Sequence, residues 1–338
     1  MALERYFASA PTVTAASAWQ HVYRLLLWID PTTGLAHCYE SDKSQPGRPW
    51  YARSLAFHSW VADQLGSQPA TLSDEIDWLF TTAAEDLATS AARILEARTI
   101  LAAEQRASYA GQDIPEPGQD PELAQLVLDA LADYLSDSPP PAVLRNLVQR
   151  IRAYVGQENK RKNLLGEGFE DVLASILIRV PGITGNVRAR SPLGELPGFY
   201  TPPVGAKAER VDLSIVQPSG RRIIVSAKWS IRADRERQFV VDFSNYVRLN
   251  AAAIPFEYVL VTNEFDPARL KRNCEAQAQN APLFTQVVHV NPQAVMAAYG
   301  DRLRSGARAT VEHIRSGRLM SLQTWLEHLA AGTIPRLR

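Results

Sequence analysis

The chain has 338 residues, 46% of them hydrophobic, with 36 Lys and Arg balancing 36 Asp and Glu. It is therefore expected to be globular, with enough apolar material for one large domain or two medium ones. No apolar run approaches the roughly eighteen residues needed to span a bilayer and no basic leader precedes an apolar core, so a cytoplasmic protein without a membrane segment is expected. Cys38 and Cys274 lie far apart without CxxC neighbours and the six histidines are scattered, which excludes a disulfide framework and a zinc site.

In chain order, Ala15 to Trp28, Tyr51 to Leu65 and Ser73 to Arg106 place apolar residues at three- and four-residue spacing and predict helices. Leu35 to Tyr39, between turn-rich stretches, reads as strand or loop. Tyr109 to Pro121 is a linker candidate, and Ser138-Pro139-Pro140-Pro141 punctuates the next helix. These signals predict a mainly helical N-terminal region over 1–140 and a second region over 141–338. Charge divides in the same place: residues 1–140 hold 8 Lys and Arg against 19 Asp and Glu, leaving 28 against 17 in the remainder. A basic excess of that kind suits phosphate contacts.

The second region opens with an amphipathic helix, Ala142 to Val155, and a basic turn at Lys160, Arg161 and Lys162. Pro181 to Gly205, rich in Gly and Pro and containing Arg188 and Arg190, reads as a long functional loop. Val211 to Gln217 and Arg221 to Ala227 are β-branched runs separated by Pro218-Ser219-Gly220 and predict a β-hairpin. A helix over Glu236 to Ala252, a strand Tyr258 to Thr262, a helix from Pro267 and a strand Gln286 to Val290 come next. This alternation predicts an α/β fold with a mixed central sheet flanked by helices. The tail from Pro292 reads as further helices with Trp325 in their packing.

The hairpin sets Asp212 at the start of one strand beside Lys228 at the end of the next. Carboxylates that hold a divalent cation, with an ammonium beside them to orient water, make a phosphodiester-cleaving site, and oxygen ligands of this kind suit Mg²⁺. Each residue also has a plain reading: Asp212 as a solvated strand-end acid, Lys228 as a surface lysine, Glu170 as a helix-surface acid and Asp234 as a helix cap. Arg232 and Arg235 would be first-turn arginines, but positive charge there opposes the helix dipole and calls for an anionic partner.

Order and spacing together resemble the PD-(D/E)XK nuclease superfamily, with Val211 in the proline place and Ser226 in that of the second acid. The run Ser226-Ala227-Lys228-Trp229-Ser230-Ile231-Arg232-Ala233-Asp234-Arg235, with Asp242 seven residues on, resembles the type II restriction endonucleases of the CCGG family. These also carry serine before the lysine and a displaced acidic residue on the following helix, usually glutamate. Gly166-Glu167-Gly168-Phe169-Glu170 resembles that family's upstream helix, and the likeness covers about residues 163 to 299. It implies a restriction-endonuclease-like core in which Asp212, Asp242 and Glu170 bind Mg²⁺, Lys228 acts on water and Ser226 marks the vacated acid. It also implies that Arg232, Asp234 and Arg235 read bases and that double-stranded DNA is cut at a palindromic CCGG or CC-N-GG core. The expected active form is a homodimer, which in some relatives pairs into a tetramer. Two other readings share parts of this pattern: a repair or junction-resolving nuclease with the same metal site, and a catalytically silent DNA-binding module.

Overall fold

A computed structural model describes residues 2–10, 12–26, 49–67, 100, 103–104, 120–203, 208–231, 236–299 and 305–333. The described N-terminal helices are α1 (Ala2–Ser9), α2 (Ala18–Leu26) and α3 (Pro49–Leu65). The short element expected at Leu35 to Tyr39 and nearly all of the helix expected at Ser73 to Arg106 lie outside the described residues.

The two runs around Pro218-Ser219-Gly220 form antiparallel strands β2 (Arg210–Val216) and β3 (Arg222–Lys228). Gly220 closes the turn at φ +82°, a conformation that glycine enters without steric cost. After β3 the chain crosses through α6 (Glu236–Leu249) to β4 (Glu257–Thr262), then through α7 (Pro267–Glu275) to β7 (Gln286–His289). A two-residue ribbon, β5 (Gln277–Ala278) with β6 (Ala281–Pro282), interrupts the second crossover. Helices α8 (Pro292–Tyr299) and α9 (Ser305–Arg315) lead to β8 (Leu319–Ser321), and α10 (Leu322–Ala330) succeeds it. The sheet order is β1-β2-β3-β4-β7-β8, antiparallel from β1 to β3 and parallel from β3 to β8. The fold is thus α/β with a mixed six-stranded sheet flanked by helices. Strands β3, β4 and β7 are buried along almost their whole length, which is why they read as continuous apolar runs rather than alternating ones.

Two strands of the six-stranded sheet were not expected, nor was the β5-β6 ribbon. Residues 181–205 are not one long loop, because β1 (Asn186–Pro192) pairs with β2 along the sheet edge and places Arg188 and Arg190 on a strand. Proline within a run lowers its strand signal and is tolerated at an edge, which is where Pro192 lies. β8 has three residues, too few to show a period. The helix before the hairpin also differs from expectation: α5 runs unbroken over Pro141–Arg179, through Gly156, Gly166 and Gly168. The side chains of Lys160, Arg161 and Lys162 are outside the described set.

The chain divides into two compact units, one of residues 1–79 and 164–338 and one of residues 80–163. This differs from a single boundary at 140/141, since α1 to α3 belong with the sheet. Phe57 stacks on Phe265 at 5.2 Å, the Tyr23 hydroxyl donates to Asn263 Oδ1 at 2.8 Å, and Arg179 pairs with Glu4 at 2.8 Å. Within the other unit, α4 (Pro121–Leu131) begins at an Asp120 cap that accepts from the Leu123 amide at 3.0 Å.

Candidate active site

Strand phase builds the centre of the site. The register sets Ser214 against Ile224 and Leu213 against Val225, so one step further Asp212 falls opposite Ser226 and shares a face with Lys228. Asp212 Oδ2 accepts three donors: Lys228 Nζ at 2.5 Å, the Ala227 amide at 2.9 Å and Ser226 Oγ at 3.2 Å. The lysine side chain is 36% exposed and the aspartate 24%, so the pair, at the open end of the hairpin, is accessible to solvent.

Glu170 arrives from α5. Phe169, the residue before it, is fully buried and meets Trp229, the residue after Lys228, edge to face at 5.5 Å. That contact ties the helix to the end of β3 and leaves Glu170 beside the hairpin. The Glu170 carboxyl is pushed up to about 7, first by burial and then by the Asp212 carboxylate, with the Lys228 and Arg190 charges pulling the other way. Arg190 donates to Glu170 Oε2 at 3.2 Å and to Asp171 Oδ1 at 2.6 Å. Its backbone sits at φ +49°, a region non-glycine residues enter when their surroundings hold them there.

Asp242 approaches from α6. This helix lies on the same sheet face, because Tyr258, in phase with Ile224 and Ser226, packs against Phe243 (5.9 Å, stacked) and Tyr246 (5.5 Å, edge-on). The Asp242 carboxyl is raised by burial first; the Glu209 and Asp212 carboxylates add to this, while the Gln238 amide, 2.6 Å away, and Lys228 oppose it. Asp212, Lys228, Ser226, Glu170 and Asp242, scattered over 73 positions of sequence, therefore fall within one electrostatic neighbourhood. Arg232, Asp234 and Arg235 lie outside the described residues.

Sequence reasoning missed three neighbours. Glu209 acts on Asp242 and accepts from Asn245 Nδ2 at 3.4 Å, and its only signal was an acid three residues before Asp212. Tyr258 keeps its hydroxyl buried beside Ser226, where it makes no hydrogen bond of ordinary geometry; its strand phase with Ser226 was the available clue. Arg190 was visible as a basic residue, but not as a partner of Glu170.

Among the described residues, no three Asp, Glu, His or Cys side chains are gathered closely enough to enclose an ion by themselves. The donor set nonetheless fits Mg²⁺, which is usually held by one or two carboxylates together with water and substrate phosphate rather than by a complete protein cage.

Two results are expected here. In metal-free protein, Glu170 retains its proton to about pH 7, whereas an unfolded glutamate loses it near pH 4.3. Because the folded state binds more protons between those values, this residue's contribution to stability falls as pH rises through the window and levels off above it. Glu170→Gln should remove that part of the slope, read as the difference between wild-type and variant urea midpoints from pH 4.5 to 8. A constant difference across this range would contradict the raised carboxyl. For the phosphodiester cleavage expected from the sequence, Asp242→Ala should lower the rate by about 10²-fold or more, as for loss of a group that organises the transition state, and Asp242→Glu should retain part of it. Normal cutting by Asp242→Ala alongside a dead Glu236→Ala would put the acid on another turn of α6.

No protein-family model matches the chain, and no curated protein matches it.

Proposed function

We propose that the protein is a Mg²⁺-dependent type II restriction endonuclease on a PD-(D/E)XK-like core. The observation that carries this reading is the three-donor lock on Asp212 Oδ2, with Lys228 at 2.5 Å and with Glu170 and Asp242 close enough for their carboxyls to respond to both partners. The sheet supports the same reading, because its hairpin continues into parallel strands through α6 and so brings an acid on that helix back over the hairpin's open end.

Asp212 and Asp242 would hold the cation together with water and substrate phosphate, and Glu170 would complete the site. When bound, the cation polarises the scissile phosphate and acidifies a water. Lys228, held on Asp212, orients the attacking water and brings positive charge to the phosphate oxygens as negative charge develops. In-line attack inverts phosphorus and leaves 5′-phosphate and 3′-hydroxyl ends. Ser226 and the Ala227 amide keep Asp212 aimed, with Ser226 in the place vacated by the second acid.

Arg232 and Arg235 are assigned to guanine O6 and N7, and Asp234 to cytosine N4. One R-x-D-R run then reads two G·C pairs, and a symmetry-related copy completes CCGG, or CC-N-GG with one unread base. A palindrome cut on both strands calls for a homodimer at least. The +11 balance of residues 141–338 supplies phosphate contacts. No helix among the described residues is long and apolar enough to cross a membrane, and the cytoplasm is the proposed place of action.

Plasmid digestion with Mg²⁺ tests the reading. Discrete fragments ending within CCGG sites support it. Preference for branched duplexes would favour a junction-resolving nuclease, and DNA binding without cleavage a silent module. For readout, Arg232→Ala and Arg235→Ala should each lose about 1–3 kcal/mol of preference for a CCGG duplex over its scrambled isomer at fixed salt. An unchanged ratio in both variants would reduce these arginines to phosphate contacts.

A further inference from the structure

Tyr258 lies on β4, where the parallel register pairs it with Ile224 and pairs Leu260 with Ser226. Its side chain therefore rises on the sheet face that carries Ser226 and Asp212. Both of its main-chain groups are fixed: the amide donates to Thr285 Oγ1 at 3.2 Å, and the carbonyl accepts the Thr285 amide at 2.8 Å. Three aromatic neighbours fix the ring, Phe243 at 5.9 Å, Tyr246 at 5.5 Å and Phe284 at 4.9 Å. The residue is 1% exposed, so the hydroxyl has no route to another partner by swinging outward.

For packing alone, phenylalanine would serve better here. The Tyr258 hydroxyl is shut off from water yet makes no hydrogen bond of ordinary geometry, and a buried hydroxyl in that condition costs stability that an apolar ring edge does not. Burial first, then the neighbouring Tyr246, Asp242 and Asp212, push this phenol well above its ordinary range, with Ser226 opposing. At any working pH it thus keeps a proton to donate. Ser226 Oγ gives its own proton to Asp212 Oδ2 at 3.2 Å, and a hydroxyl that has donated still has lone pairs with which to accept.

We propose that Tyr258 is a positioning residue for the cation site: its hydroxyl donates to Ser226 Oγ as the site fills, and the serine in turn holds Asp212 aimed at the metal. This rests on the proposed Mg²⁺-dependent function. Hydrogen bonds at reacting centres are often long or misaligned before substrate is bound and tighten in the complex. Donation into the serine also strengthens the serine's own donation, because linked hydrogen bonds polarise one another. A partner of this kind touches neither substrate nor metal, and its loss costs roughly 10- to 100-fold in metal affinity or activity.

The experiment compares wild type, Tyr258→Phe, Ser226→Ala and the double variant by calorimetric titration with Mg²⁺, by single-turnover cleavage of a CCGG duplex over a range of Mg²⁺ concentrations, and by thermal melting. Tyr258→Phe should bind Mg²⁺ about tenfold more weakly, the low end of the range for an outer partner, and its cleavage should return to within a few-fold of wild type once Mg²⁺ is raised to compensate. Its melting temperature should equal or exceed that of wild type, because an unpaired buried hydroxyl is gone. Ser226→Ala should weaken Mg²⁺ binding to a similar extent, and the double variant should be no weaker than the weaker single variant, since both changes break the same chain. Wild-type Mg²⁺ affinity in Tyr258→Phe, losses that multiply in the double variant, or a Tyr258→Phe melting temperature well below wild type would each overturn the positioning role while leaving the endonuclease reading intact. A wild-type protein that fails to bind Mg²⁺, or binds it without cutting DNA, would overturn that reading, and the inference with it.

Discussion

Lys228→Ala is expected to bind DNA within a few-fold of wild type and to cleave it about 10²- to 10⁴-fold more slowly, the range associated with loss of a positioned proton-handling or charge-stabilising group. The lysine contributes where charge develops during attack, and interactions of that kind raise turnover rather than ground-state affinity. Its side chain is 36% exposed and Asp212 keeps the Ser226 and Ala227 donors, so the fold should tolerate the change. Single-turnover cleavage at saturating protein, read beside fluorescence anisotropy with the same duplex, separates the two effects. Near-normal turnover would remove the lysine from the chemistry and leave the assignment of the site without its centre.

Asp212→Ala should be equally inactive for a different reason. The substitution removes the acceptor of Lys228, Ser226 and the Ala227 amide together and leaves an ammonium facing the scissile phosphate without the carboxylate that held it. Bare DNA affinity should therefore hold or rise slightly. Its dependence on Mg²⁺ should disappear, because a ligand is gone and the remaining positive charge repels the ion. Calorimetric titration with Mg²⁺, and duplex binding with and without the ion, provide the check. A variant whose DNA affinity still responded to Mg²⁺ as wild type does would place the cation elsewhere.

The parts legible in the sequence were those governed by local patterning. The hairpin was readable because β-branched runs flank a turn triplet, and the pairing of Asp212 with Lys228 came from their places at the start of one strand and the end of the next. β4 and β7 were readable as continuous apolar strands because each is covered on both faces. Elements that depend on a distant partner were not readable. β1 mixes arginine with proline and becomes a strand only because β2 offers it an edge. β8 is three residues long and relies on β7 for its register. A basic turn was expected between a helix over Ala142 to Val155 and the helix bearing Glu170, yet α5 is continuous. Tyr258 and Glu209 belong to the site through tertiary packing on α6, and neither has a spacing that announces it. The region 1–140 looked separable by charge, but Phe57 and Tyr23 join its first helices to the unit that holds the sheet.

The β1 edge also bears on how copies of the chain can meet. An exposed strand is ordinarily a template for pairing with another chain. Here Pro192 has no amide hydrogen to offer, the left-handed backbone at Arg190 interrupts the extended run, and Arg188 is turned to Glu195 at 2.5 Å. Such an edge presents no unbroken ladder, so β1 is guarded against both sheet-to-sheet aggregation and a dimer built by extending the sheet across two subunits. A two-fold partner of the proposed enzyme would then have to be recognised through side chains or helices rather than through this strand.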